Sequence, residues 1–447
     1  MSSIRTKTAR SSRAKAALPS VAAMALLFAC AESATGSAPD DGGSSPPPDV
    51  DSGASDDGSA PLADADLDVD APAPKGCNHQ GFCLDELPNT EIPIGIWGSK
   101  DDDVWAVTDR SIFHFDGTSW TTALTLPADG SRIRSIYGAA ADDVWVVGEG
   151  ASVIDAEAGS AREALVLHYA SRDGGPPAWR SLHGFDAAPS LVEAWRTSDG
   201  AVWFIADALV FRSNGEEAGA VADVTLVPFP LPQTMQCSAT GQCRLNRVTW
   251  LTLAGFGDEV WVAGYAWDPP PLGFHRPLLA RYHDSQWSST ILAQGTGHGL
   301  PVRIPKGLKP GEDARFRVSR DGSRRAFLYI ASEWVEPEDA FVLDVGEDGS
   351  LTPVAGQTPA TWLACRPKAV FAPSADAAWL TDGYGVCRWD GTRTTFTSIT
   401  IDAPLLRPRG LWSGDSTTWI VGERQLAMGA PPDQGVGFVL RRAGGLP

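Results

Sequence analysis

The 447-residue sequence predicts an all-β fold, a seven-bladed β-propeller, on three observations. First, a short apolar phrase occurs seven times, and internal repetition at about 40 to 50 residues marks a propeller or a related array. Clear copies run Ile96–Val107, Ile136–Val147, Ala194–Ile205, Leu253–Gly264 and Leu411–Gly422, with degenerate ones at Val318–Ile330 and Val370–Thr381. Second, each copy carries a near-continuous apolar run (VWAV, VWVV, VWFI, VWVA, AFLYI, AWLT, TWIV) in place of the polar alternation of a sheet wetted on one face. Such runs suit a strand covered on both sides, which a blade sandwiched between two others provides. Third, the last copy is expected to supply only three strands, whereas Gly81–Gly98 parallels Ser119–Gly138 with Phe82 in the place of Trp120. Residues 81–87 should therefore complete the last blade and leave no free sheet edge. Seven copies imply seven blades; six or eight also fit, because the fifth copy is weak.

The first copy sets the order of strands within a blade. Ile94–Ser99 forms one strand, Lys100–Asp103 a tight turn, Val104–Thr108 the return and Ser111–Phe115 a third strand. Asp116-Gly117 then turns the chain into a fourth, Ser119–Leu126. Gly accepts positive φ and Asp hydrogen-bonds its own neighbouring backbone, which is what such a turn requires. Trp105, Trp145, Trp203, Trp261, Trp379 and Trp419 hold one place in the repeat, and Phe327 fills it in the fifth copy.

Ahead of the propeller, residues 1–29 join a basic segment (Arg5, Lys7, Arg10, Arg13, Lys15) to the apolar stretch Ala16–Ala29. That stretch is short and rich in small residues for a membrane span, so it reads as a cleaved signal. It ends Leu27-Phe28-Ala29-Cys30, which resembles a bacterial lipobox with Cys30 as the lipidated residue. Ala31 stands where inner-membrane retention favours Asp, so the resemblance implies an outer-membrane lipoprotein facing the cell surface or the periplasm; without lipidation the protein is secreted. Residues 30–76 then read as a disordered tether, with eleven acidic residues against Lys75 and almost no large apolar side chain to bury. Its average span is on the order of 40 Å. Asp64–Ala71 lacks the central Gly and terminal Glu of a calcium loop. Residues 77–447 are the propeller.

The formal net charge of −19 argues against nucleic acid and anionic lipid as partners, leaving membrane contact to the N-terminal lipid and a monomer as the expected state. Of seven cysteines, six remain once Cys30 is set aside. They form sequence-local pairs, Cys77 with Cys83, Cys237 with Cys243 and Cys365 with Cys387, and in an exported chain an even count reads as disulfides, although about fifteen pairings are formally available. Neither zinc-type nor haem-type cysteine spacing occurs, so no metal and no cofactor are expected.

No GxSxG elbow, Walker loop, HExxH or dinucleotide fingerprint is present. His114 and His168 occupy matching third-strand positions and His283 lies one place along in the fourth copy, as scaffold residues that recur with the repeat do; His79, His183, His275 and His298 fall in loops. The longest insertions, Glu149–Arg162, Pro230–Asn246, Ala266–Arg276, Gly295–Asp313, Ser332–Asp339 and Glu423–Gln434, all join strand two to three or one blade to the next, so they emerge on one face. Uneven loops on a rigid scaffold are where binding resides. Trp267, Phe274, His275, Arg276, Arg303, Lys306 and Lys309 make an aromatic and basic candidate patch there for a protein or glycan partner. The competing reading is an extracellular polysaccharide hydrolase or lyase using the carboxylates Asp258, Glu259, Glu333 or Glu336, of which Asp258 and Glu259 already have a place in a turn.

The phrases WGSKDDDVWAV and IFHFDGTSW resemble the DVWAVG-type repeats of bacterial exported lipoproteins and, more distantly, those of photosystem-assembly propellers and Asp-box sialidases. The resemblance spans Gly81–Gly444 and implies architecture; those families share no single activity. The Gly that usually follows the second strand is Thr108 in copy one and is missing from copies three, five and six.

Overall fold

The computed structural model describes residues 76–78, 81–155, 159–172, 174–185, 188, 190–217, 220–229, 248–267, 275–292, 313–331, 340–354, 369–381, 385–392, 394–399, 405–425 and 435–443. Every described residue belongs to the unit Asp70–Pro447. That unit is a seven-bladed β-propeller, each blade a four-stranded antiparallel meander. Blade 1 is Gly95–Lys100, Asp103–Val107, Ser111–Phe115 and Trp120–Thr125. Blade 2 is Arg132–Ala140, Asp143–Asp155, Gly159–Ala170 and Ala178–Leu182. Blade 3 is Glu193–Arg196, Val202–Ala206, Leu209–Ser213 and the two-residue Thr225–Leu226, with a small hairpin of Glu216–Glu217 and Ala220–Val221 beside it. Blade 4 is Val248–Phe256, Glu259–Trp267, His275–His283 and Gln286–Ile291. Blade 5 is Asp313–Val318, Arg325–Ala331, Ala340–Val345 and Leu351–Pro353. Blade 6 is Ala369–Ser374, Ala377–Thr381, Gly385–Trp389 and Thr394–Ser398.

Blade 7 takes Leu405–Ser413, Thr417–Gln425 and Val436–Ala443 from the end of the chain and Phe82–Asp85 from its other side. Phe82 pairs with Arg442 and Asp85 with Val439, so the ring is zipped shut as the sequence predicts. Phe82 stands opposite Arg442 as Trp120 stands opposite Phe115, and its side chain is fully buried. Disulfide Cys77–Cys83 pins the approach to this strand. Cys387 is also disulfide-bonded and buried, while Cys365, Cys237, Cys243 and Cys30 lie outside the described residues.

The apolar second strands carry the core between blades. Trp105, Trp145, Trp203, Trp261, Trp379, Trp419 and, in blade 5, Phe327 are all buried at one register. Burying each such side chain is worth about 1.5–3 kcal/mol. At the closing seam, Trp419 of blade 7 meets Phe115 (ring centroids 4.8 Å) and Trp120 (5.4 Å, perpendicular) of blade 1. The inner strands interlock by a second device. Trp97 covers Gly138 of the next blade, and Trp412 covers Gly98, where an added Cβ would fall 2.8 Å from the indole. The aromatic-Gly pair in IWG and IYG thus serves two seams, the aromatic reaching forward and the Gly receiving the blade behind.

A cation or imidazole on the third strand faces the second-strand aromatic in six blades: His114, His168, Arg212, Arg281, Arg388 and Arg441; blade 5 has Val342. His114 stacks on Trp105 (4.1 Å) and bonds Asp103 (2.7 Å), and His168 stacks on Trp145 (3.9 Å) and bonds Asp143 (2.9 Å). These histidines are scaffold, as their recurrence suggests. In blade 4 the equivalent residue is Arg281, and His283 lies two positions beyond it, because the register places Arg281 opposite Trp261.

Candidate functional site

Two features could meet a ligand: the face bearing the long hairpins and the channel on the ring's axis. One residue type governs both. Gly148, Gly264 and Gly422 lie within the second strands of blades 2, 4 and 7, just after their apolar runs, and a Cβ on each would collide with the carbonyl oxygen of Arg132, Thr249 or Arg407 across the ladder. Opposite each of them the inner strand bulges by one residue, at Arg134, Leu251 and Arg409. A bulge needs such close backbone approach and re-aims the extra side chain. All three bulge residues line the channel.

Past these glycines the second and third strands continue as long hairpins. Glu149–Arg162, expected as a loop, is mostly paired strand, with Ser152 opposite Arg162 and Asp155 opposite Gly159. Its Gly, Ser and Ala residues conceal a ladder made by backbone groups alone. In blade 4 the ladder runs to Ala266 opposite Arg276 and Trp267 opposite His275, which brings these three members of the expected patch to one hairpin end. Phe274, Arg303, Lys306 and Lys309 lie outside the described residues, as do Glu333 and Glu336. Blades 1 and 3, which lack the Gly, turn tightly after Val107 and Ala206. The opposite face carries turns such as Asp116-Gly117-Thr118-Ser119. There Oδ1 of Asp116 accepts from Thr118 N (2.9 Å), Thr118 Oγ1 (2.6 Å) and Ser119 N (3.0 Å). The Thr118 and Ser119 bonds hold the Asp116 carboxyl down at about 2.

The channel, about 300 Å³, is walled by the seven inner strands. Arginines 134, 315, 317, 320 and 409 enter it, and Glu193 is the one carboxylate among its described lining residues. Three of the arginines have carboxylate partners. Arg134 bonds Glu149 and Arg409 bonds Glu423 (2.9 Å), each the residue just after a bulge glycine. Arg317 bonds Glu193 (2.9 Å), whose other oxygen accepts from the Leu253 amide (2.7 Å) and so ties blades 3, 4 and 5. Arg315 and Arg320 have no carboxylate partner among the described residues. Nε of Arg315 is buried with nothing to donate to. Arg320 lies over the Phe371 ring at 4.7 Å; its tip reaches the lumen, yet the walls ring it closely and burial lowers its basicity to about 10. Burial likewise raises the Tyr137 phenol beside them.

The carboxylates proposed for hydrolysis are otherwise employed where they are described. Glu259 is buried, accepting from Arg281 (2.7 and 3.0 Å), Arg324 (2.7 Å) and Trp261 Nε1 (2.6 Å). Burial would raise its carboxyl, but these arginines outweigh that and hold it low. Asp258 is an exposed turn residue. Between blades 2 and 3, Glu216 bridges His168 (2.8 Å) and Arg180 (2.9 Å). No group of three or more metal-ligating side chains occurs among the described residues.

No known-family profile and no curated protein sequence matches the chain. Solved propellers do. YCF48 bound to a D1 peptide is 12% identical, over 81% of this chain and 97% of that one, with a TM-score of 0.50. Streptogramin B lyase is 14% identical, over 80% and 96%, at 0.46, and YCF48 from Cyanidioschyzon merolae 11% identical, over 81% and 99%, at 0.46. At these identities the likeness to the peptide-bound YCF48 establishes that the chain belongs to the β-propeller fold and nothing narrower.

Proposed function

We propose that this chain is a non-enzymatic binding or scaffolding propeller, anchored to the outer membrane through Cys30 and the acidic segment 30–76, which takes a protein or glycan partner on its long-hairpin face. The observation that supports this most directly is the unequal build of the two faces. Second and third strands extend past the sheet body in blades 2, 4 and 7, carrying Trp267, His275 and Arg276 outward in blade 4, whereas the other face has short Asp-Gly turns. A rigid ladder costs less entropy to immobilise than a free loop, which favours binding. The fold neighbour YCF48, described with a D1 peptide, illustrates that a propeller can take a peptide, and this favours protein over glycan. The saturated state of Glu259 weighs against the hydrolase reading.

The test is site-specific photocrosslinking in native envelope from Arg276 on the long-hairpin face and, in parallel, from Thr118 on the opposite face. A discrete adduct from position 276 and none from 118 is the expected result. Adducts from 118 alone, or polysaccharide cleavage by the purified chain in a hydrolysis screen, would overturn the proposal.

A further inference from the structure

We propose that the axial channel is a binding site for a small oxyanion, a carboxylate or phosphate group, drawn in by the two guanidiniums of its lining that lack a carboxylate partner among the described residues, Arg315 and Arg320. This stands apart from the long-hairpin face and needs no partner to occupy it. The argument is one of charge placed against the trend of the molecule. The chain carries a formal net charge of −19, yet its axis gathers five arginines, and the carboxylates that reach them, Glu149, Glu193 and Glu423, neutralise three. Two guanidiniums are left in a confined lumen with no counter-charge among the described residues.

A guanidinium donor shut off from water without an acceptor is costly, and that cost falls on Arg315, whereas Arg320 is exposed to the lumen and open to an incoming anion. Both arginines come from blade 5 or its turn, Arg315 within Asp313–Val318 and Arg320 just after it. Arg315 carries a buried N–H with no acceptor, and buried donors in folded proteins almost always have one. Arg320 lies over the Phe371 ring at 4.7 Å, a cation–π contact that uses none of its N–H donors. A planar fork of donors matches the two oxygens of a carboxylate or phosphate. The paired arginines around them are held by their glutamates, so they contribute positive potential at the rim without being drawn onto the ligand. A volume of about 300 Å³ suits a small molecule or the tip of a chain.

The experiment is calorimetric titration of the full chain with inorganic phosphate and, separately, with citrate, at low salt. Saturable binding of one or both is expected. Phosphate alone would identify a phosphate site, and citrate alone a carboxylate site. Arg320→Gln and Arg315→Gln should each weaken binding about tenfold, the scale of one charge-assisted hydrogen bond. Arg325→Gln, which removes a guanidinium bonded to Asp344 (3.0 Å) at the edge of the same blade, should leave the affinity unchanged. Thermal melts without anion establish that the variants fold. Should the glutamine variants fail to fold, Arg320→Lys carries the test, since it keeps the charge, loses the fork and should weaken binding severalfold. No heat from either anion at tens of millimolar, or equal affinity in the folded variants and the native chain, overturns the proposal.

Discussion

Cutting back Phe82 should open the ring. Its side chain is wholly buried, it belongs to the cluster that spans the seam of blades 7 and 1, and the Arg442 guanidinium lies 5.7 Å from its ring. Phe→Ala at a buried site costs about 3–5 kcal/mol, and loss of the cation–π contact adds about 0.5–1 kcal/mol. The strand has four residues and can relax, so we expect the low end, about 3 kcal/mol. Phe396→Ala is the internal control, because the same atoms are removed from a side chain 39% exposed on the outer strand of blade 6; a loss within about 0.5 kcal/mol is expected. Guanidinium melts followed by tryptophan fluorescence give both values, with Trp419 and Trp120 at the seam as reporters. Limited proteolysis of Phe82→Ala should cut first within residues 84–94, where the freed strand leads into blade 1. If Phe82→Ala costs no more than Phe396→Ala, the ring is not closed by this strand and the reasoning about the seam fails.

Glu259→Gln should lower stability by about 3 kcal/mol, since it leaves Arg281 and Arg324 facing a neutral amide in a buried site, and denaturant melts will read the loss. The Asp116 carboxyl, ordinarily near 3.9 when unfolded, should titrate at about 2 by carboxyl-carbon NMR; because the folded value is depressed, its contribution to stability is complete above about 4 and disappears as pH falls through about 2. Gly148→Ala should cost about 1–3 kcal/mol through collision with the Arg132 carbonyl; a crystal structure of the variant is expected to show the bulge at Arg134 removed and that side chain withdrawn from the channel.

The architecture was legible because it rests on signals the apolar pattern carries directly. Doubly covered strands leave unbroken apolar runs, one buried aromatic per blade sets the register, and Phe82 stands for Trp120 in the closing strand. The channel was illegible for a physical reason. A bulge shifts pairing by one residue without changing the apolar run beside it, so nothing in VWVVG or TWIVG reveals that Arg134 and Arg409 turn inward. A faint signal did exist: Glu follows the glycine in both copies, and the two Arg–Glu pairs are 15 and 14 residues apart. In sequence the long hairpin of blade 2 looks like a loop, because small residues hide a ladder formed by main-chain groups. The pairing of Arg317 with Glu193 joins residues 124 apart in sequence, a distance no local pattern spans.

The glycines inside the second strands of blades 2, 4 and 7 also couple two properties that would otherwise vary separately. A blade with this glycine both raises a stalk over the rim and projects an extra side chain at the axis; a blade without it does neither where the turn is described, after Val107 and Ala206. Remodelling the rim of blade 2 or 7 by exchanging that one residue would therefore also alter the electrostatics of the lumen. An engineer who wishes to change only one of them must work beyond the glycine, at the far end of the stalk.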